Sequence, residues 1–193
     1  MLRRLYDKTI AYAESPNAPY VLGLISFAES SFFPVPPDVM LIPMALAKPS
    51  KAWLYALICT VTSVLGGLFG YWIGAALYET VGHWLISIYG YGDRIDQFRH
   101  MYQEWGHWII LIKGLTPIPY KIVTIASGLA GYDLFWFIVL SLITRGARFF
   151  VVAGILNRFG DGLRTTIERN LGLVAGVMLF FIVAGFVALK YVI

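Results

Sequence analysis

Three runs of this 193-residue chain, 52–78, 134–156 and 171–191, are apolar over lengths that can cross a membrane. At 1.5 Å per residue each spans a hydrocarbon core of ~30 Å as a helix. Lipid offers the backbone no hydrogen-bond partner, so such runs must satisfy their own amides, which only helices and closed barrels achieve. Composition agrees: 59% of residues are hydrophobic and 13% charged, with a mean hydropathy of +0.71, whereas soluble domains carry roughly 25% charge. An all-α integral membrane protein, folded as a single membrane domain over 1–193, is therefore expected. The lone cysteine, Cys59, excludes a disulfide framework and a cysteine zinc site. The 15 Lys and Arg against 11 Asp and Glu are scattered, which favours anionic lipid over nucleic acid as the partner.

Two other apolar stretches are interrupted. Residues 20–47 are broken by Phe33-Pro34-Val35-Pro36-Pro37-Asp38, and residues 105–130 by Thr116-Pro117-Ile118-Pro119-Tyr120-Lys121. Proline removes an amide donor and clashes with the preceding turn, so neither helix continues through its break. The arms 20–33 and 38–47 would be ~21 and ~15 Å long, too short to cross. Each stretch is expected to be a re-entrant hairpin with Pro34, Pro36, Pro37, Pro117 and Pro119 at the tips. Residues 2–15 read as an interfacial helix, with Leu2, Leu5, Tyr6, Ile10 and Ala13 on one face and Arg3, Arg4 and Lys8 toward headgroups. Residues 82–103 read as an aromatic, amphipathic linker, with Asp93, Arg94, Asp96 and Arg99 as its wet face.

The order of hairpin and span occurs twice. A shift of 83 positions superposes Gly23 on Gly106, Pro34 on Pro117, Pro36 on Pro119, Ile42 on Ile125, Leu46 on Leu129, Ala47 on Ala130, Trp53 on Trp136 and Leu57 on Leu140. Each half has one full crossing, so the repeats should be inverted. If both hairpins return to the side they entered, Arg3, Arg4, Lys8, Lys48, Lys51, Arg158, Arg164 and Arg169 collect on one side. Only Arg94, Arg99 and Lys190 reach the other. The positive-inside bias then puts the N-terminus in the cytoplasm. The helix 171–191 follows the charged linker 157–170 and has no counterpart in the repeat.

Six charges remain among apolar neighbours: Glu29, Asp38, Lys113, Lys121, Arg145 and Arg148. At ~2.5–3.5 kcal/mol each near the bilayer centre, they must pair or face a watered cavity. Asp38 and Lys121 are equivalent in the repeat, each two residues past the second proline of its tip. Arg145 and Arg148, three apart, share a helix face and suit bidentate capture of phosphate. Lys113, Lys121, Arg145 and Arg148 are thus the expected phosphate-headgroup site. Glu29 and Asp38 are the expected proton-coupling groups, because the charge of such a carboxyl depends on how dry its surroundings are and on the cation facing it. A plainer reading pairs Glu29 with Arg145 or Arg148, and Asp38 with Lys121, as structural glue.

Other patterns carry less. His83, His100 and His107 lack the spacing and the acidic partner of a metal site, so neither a metal nor another cofactor is expected. Asp133 is placed to cap the helix beginning at Leu134. Gly66-Gly67-x-x-Gly70 lies within a span and reads as a packing surface. A membrane enzyme, such as a lipid phosphatase or phosphotransferase, needs a nucleophile and base that the charged cluster does not offer. The leading expectation is a transporter rather than an enzyme, with a non-transporting scaffold for envelope integrity as a third class.

With Glu29 five residues before Pro34, Pro37-Asp38 after it, and Lys113-Gly-Leu-Thr-Pro117-Ile-Pro119-Tyr-Lys121 followed by Ala126-Ser-Gly128-Leu-Ala-Gly131, residues 15–157 resemble the DedA family, also called the VTT or SNARE-associated Golgi protein superfamily. The pattern looks closest to the bacterial YqaA-type subgroup. The resemblance implies a bacterial cytoplasmic (inner) membrane protein that returns undecaprenyl phosphate or a phospholipid across the bilayer as a flippase, with protons or another ion coupling the transport; a homo-oligomer is compatible with it. One departure stands out. The family's second hairpin usually reads Gly-Arg-x-x-Pro-x-x-Arg, whereas Lys113 and Lys121 flank Pro117 here, keeping the charge and losing the planar fork.

Overall fold

The longest apolar runs form the two antiparallel spans on which everything else is laid. In the computed structural model, residues 15–32, 35–82, 92–115 and 120–169 are described, with side chains excepted at 81–82, 92–94, 113–115 and 161–169. Among these residues six α-helices follow in order: α1 (Ala18–Ser31), α2 (Asp38–Ala47), α3 (Ala52–Leu77), α4 (Gly92–Leu115), α5 (Tyr120–Ala130) and α6 (Leu134–Arg169). A 3-10 turn at Pro49–Lys51 leads into α3, and a π-helical turn at Tyr78–Gly82 closes it. Among the described residues two helical stretches, Pro49–Thr80 and Leu134–Gly160, are long and apolar enough to cross a membrane. Trp53 packs near Phe150, and Tyr71 near Phe137, so α3 and α6 run in opposite directions.

The expected interfacial helix 2–15, the helix 171–191 and the tip residues Pro34, Pro117 and Pro119 lie outside the described residues. The first broken stretch gives helices at 18–31 and 38–47, close to the expected arms. Two boundaries differ. Helix α4 runs unbroken from Gly92, joining part of the expected aromatic linker to the first arm of the second stretch. Its residues contain no proline and keep helix-forming side chains through the polar-to-apolar transition, so nothing stops the helix. Helix α6 likewise continues to Arg169 through the expected linker 157–170, again without a proline to end it.

Packing differs from that of a soluble protein: beside an apolar core, large apolar side chains face outward and hydroxyls are buried. Leu54, Leu57, Val61, Leu65, Phe69 and Trp72 of α3, and Phe135, Ile143, Val151, Ile155 and Phe159 of α6, are exposed, while Ser26, Ser30, Ser31, Ser63, Thr124, Ser127, Ser141 and Thr144 are buried. Such an exterior suits lipid, in which helices associate through small residues and polar contacts. Along the α1–α3 seam, Ser26 donates to the Cys59 carbonyl (2.8 Å), Ser30 and Ser63 share a hydrogen bond (2.7 Å), and Ser31 donates to the Gly66 carbonyl (2.9 Å). These contacts rise in step, so α1 runs parallel to α3 and ends beside its middle. A Cβ at Gly66 would strike the Phe27 carbonyl, one at Gly74 the Ile125 carbonyl, and one at Gly128 the Tyr71 carbonyl. Gly66, Gly70 and Gly74, four apart, therefore form the stripe on which α1 and α5 lie, as the packing reading of these glycines expects.

The short helices point toward the centre. Helix α2 starts at Asp38 beside Arg148 and descends to Leu46, near Gly160 and Pro49. Helix α5 starts at Tyr120 beside Arg145 and ends at Ala130, whose carbonyl accepts from Arg99 Nε (3.2 Å). At its far end the Gly131 φ of +64° turns the chain, and Asp133 Oδ1 then accepts the Trp136 amide (2.9 Å), capping α6 as expected.

Candidate functional site

Ser63 and Arg145 each lie 11 residues into their spans, ~16 Å along and so near the bilayer centre. Arg145 is among the least exposed side chains, at 1%. Its Nη2 donates to Glu29 Oε2 (2.7 Å) and its Nε to Ser63 Oγ (2.6 Å). Ser63 bonds Ser30, and Ser30 donates back to Glu29 Oε2 (3.2 Å). The four groups close a ring of hydrogen bonds among α1, α3 and α6. The guanidinium also lies over the rings of Tyr120 (4.9 Å) and Phe149 (4.8 Å), and Tyr120 donates to Ser141. A cation at this depth is tolerable because a carboxylate and a hydroxyl accept from it and aromatic faces add to the electrostatic balance.

One turn along α6, Arg148 Nη2 contacts Asp38 Oδ2 (2.5 Å), and its guanidinium stands 5.7 Å from the Phe149 ring. This pair is more open: Arg148 is 32% exposed and Asp38 17%, whereas Glu29 is 11% exposed. Asp38 also stands in the first turn of α2, where the positive end of the helix dipole favours a carboxylate. Pro37, buried at the α2 N-cap, leads into the helix without an amide proton to orphan at that depth. Pro36, half-buried, accepts the Val39 amide through its carbonyl (3.3 Å).

The structure thus brings Glu29, Asp38, Arg145 and Arg148 together and gives each arginine its own acid. The pairing of Asp38 with Lys121 does not form; Asp38 takes Arg148, because α2 packs on α6. Lys121 is half-buried at the start of α5, and among the described residues no carboxylate pairs with it. The Lys113 side chain lies outside the described residues. Arg99, half-buried, lays its guanidinium over the Tyr78 ring at 4.3 Å. Sequence reading missed Ser30, Ser63, Tyr120 and Ser141. A signal was present in serines 26 and 30, four apart within an apolar helix, since buried hydroxyls in lipid need partners.

Helices with an apolar exterior, small-residue contacts and an ionic core define an all-helical membrane protein built around buried charge. The VTT domain family matches residues 35–158, and the chain belongs to this family, the DedA family. An uncharacterized protein of Haemophilus influenzae is 31% identical over 186 residues, covering 96% of both chains. An uncharacterized protein of Histophilus somni is 33% identical over 168 residues, covering 85% of this chain and 87% of its own. No solved structure matches the chain.

Proposed function

We propose that this protein is a flippase rather than an enzyme, carrying a phosphate-bearing lipid, undecaprenyl phosphate or a phospholipid, across the bacterial cytoplasmic membrane. The observation that carries this reading is the half-open Arg148–Asp38 pair beside the sealed Arg145–Glu29 ring. A phosphate arriving from the Lys48–Lys51 end meets Arg148 first, and exchange of Asp38 for phosphate oxygens keeps the guanidinium paired throughout. Lys113, Lys121, Arg145 and Arg148 form the headgroup site in this reading. Glu29 and Asp38 take up the protons that couple the cycle. Acyl chains stay in lipid along the apolar exterior of α3 and α6.

Two inverted repeats with re-entrant hairpins belong to the same proposal, as does membership of the YqaA-type subgroup. The hairpin reading is supported by α1 and α2 meeting near the middle of α3 and α6, and by α5 starting beside Arg145 and ending at the opposite end from Lys48. With a cytoplasmic N-terminus, cysteines introduced as Arg4→Cys and Lys48→Cys label from one side; labelling from opposite faces defeats the hairpin. Function is tested in reconstituted vesicles by following lipid translocation and phosphate release together. Translocation without phosphate release is expected, and folded Arg148→Ala should lose it. Wild-type translocation by that variant overturns the proposed site, and phosphate release points to the enzyme instead.

A further inference from the structure

Helix α2 carries Asp38 as its first residue, and its two halves are attached to the protein in different ways. The lower half is fixed. Met44, Ala45 and Leu46 are buried in succession, in the core that they share with Phe149, Ala153 and Leu156 of α6. Just past the helix end, Asn157 Nδ2 donates to the Pro49 carbonyl (2.7 Å), and a Cβ at Gly160 would stand 3.9 Å from Leu46 Cδ2 and 3.8 Å from Pro49 Cγ. The upper turn, residues 38–42, buries Leu41 fully but leaves Val39 exposed, and its ionic tie to α6 is the Asp38–Arg148 pair. Pro43 separates the halves. It has no amide proton, so the Val39 carbonyl lacks its helical donor four residues on and the ladder of α2 is one bond short there. Above this joint the Pro36 carbonyl takes the Val39 amide (3.3 Å), and the Pro37 carbonyl takes those of Met40 and Leu41 (3.0 and 2.9 Å). The turn therefore keeps these bonds if it tilts as a unit.

We infer that residues 38–42 are a latch: the Asp38–Arg148 pair holds it shut, and an anion that takes Arg148 from Asp38 frees it to tilt about Pro43 while the lower half of α2 stays on α6. Lipid tails can fill the space that Leu41 leaves, because they are as apolar as leucine. The tilt widens the open flank of Arg148 as its acid departs, so headgroup capture and opening are one event. The inference rests on the lipid-translocation reading and adds to it the element that moves and the joint about which it moves.

Backbone hydrogen exchange of the detergent-solubilised full chain, read by mass spectrometry, tests this at the amides of residues 39–42 and 44–48. Arg148→Gln and Asp38→Asn each remove the ion pair with little change of shape. Each should speed exchange at 39–42 about fivefold, and change that at 44–48 by less than about twofold. Either variant carries the test if the other fails to fold. Pro43→Ala supplies the missing donor and should slow exchange at 39–42 about threefold. Geranylgeranyl phosphate added to the wild type should reproduce the loosening at 39–42, and inorganic phosphate at the same concentration should not. Unchanged exchange at 39–42 in the folded pair variants overturns the latch, as does loosening spread equally over 44–48. Wild-type exchange in Pro43→Ala overturns the joint. Loosening in the pair variants with no response to geranylgeranyl phosphate leaves the latch standing and defeats Arg148 as the phosphate site. An equal response to inorganic phosphate overturns the lipid as the ligand that opens it.

Discussion

The two ion pairs at the centre use the same chemistry, one turn apart on α6, yet their surroundings differ. Arg145 and Glu29 are locked by Ser30 and Ser63 into a closed ring, with two aromatic rings beside the guanidinium. Arg148 and Asp38 have one direct contact and a partly open flank. A buried pair is costly to assemble and more costly to break singly, whereas a half-open pair can exchange partners with little penalty. The difference teaches that charge count alone does not define a headgroup site. Of two arginines on one helix face, the deeper also holds α1, α3 and α6 together, and the shallower is the one placed to meet an incoming anion first.

The largest effect should come from breaking the deep ring. Arg145→Ala leaves the Glu29 carboxylate without its cation in a dry place and should cost about 3–5 kcal/mol. Reversible unfolding of the purified protein in mixed micelles measures this. Arg145→Lys keeps the charge but cannot serve Glu29 and Ser63 through one planar group, so it should recover only part of the loss. If Arg145→Ala were no less stable than Arg148→Ala, the two pairs would be equivalent and the division of roles would fail. Ser63→Ala should rank next, at about 1–3 kcal/mol, since it removes the acceptor of a buried Nε–H while leaving both charges in place.

The shallow pair should behave in the opposite sense. Arg148→Ala and Asp38→Asn should each cost only about 1 kcal/mol of stability and yet abolish translocation. Parallel unfolding and vesicle assays on the same preparations check this. Retained transport in Arg148→Ala, together with a large loss of stability, would make this pair a second structural lock.

Much of this architecture is legible in the sequence, for physical reasons that also explain the remainder. The prolines around position 36 end α1 and precede α2 because they affect their own chain locally, so the arm 38–47 is read to the residue. Asp133 as a cap is legible for the same reason. The ends of α4 and α6 are not, because polarity marks where a chain leaves lipid rather than where its helix stops. The charged residues announce themselves by their cost in apolar runs. Which acid faces which arginine depends on how helices are rotated against each other across 116 residues for Glu29 and Arg145 and 110 for Asp38 and Arg148. No local pattern encodes that rotation. The serines that complete the ring are inconspicuous because a lone hydroxyl is cheap in a helix, where it can bond its own preceding carbonyl.

The smallest effect is the most discriminating between the two pairs. Raising ionic strength from 0.1 to 1 M shortens the screening length from about 10 to about 3 Å, which weakens charge interactions that ions and water can approach. Arg148, about a third exposed, is within reach of such screening, and Arg145 is not. Double-mutant cycles isolate each coupling energy, using Asp38→Asn with Arg148→Gln and Glu29→Gln with Arg145→Gln, so that shape changes little while charge is removed. The Asp38–Arg148 coupling should fall by a few tenths of a kcal/mol over this range, and the Glu29–Arg145 coupling should stay constant. Equal salt sensitivity would mean that water reaches both pairs alike, and the deep arginine would then be as available to a phosphate as the shallow one.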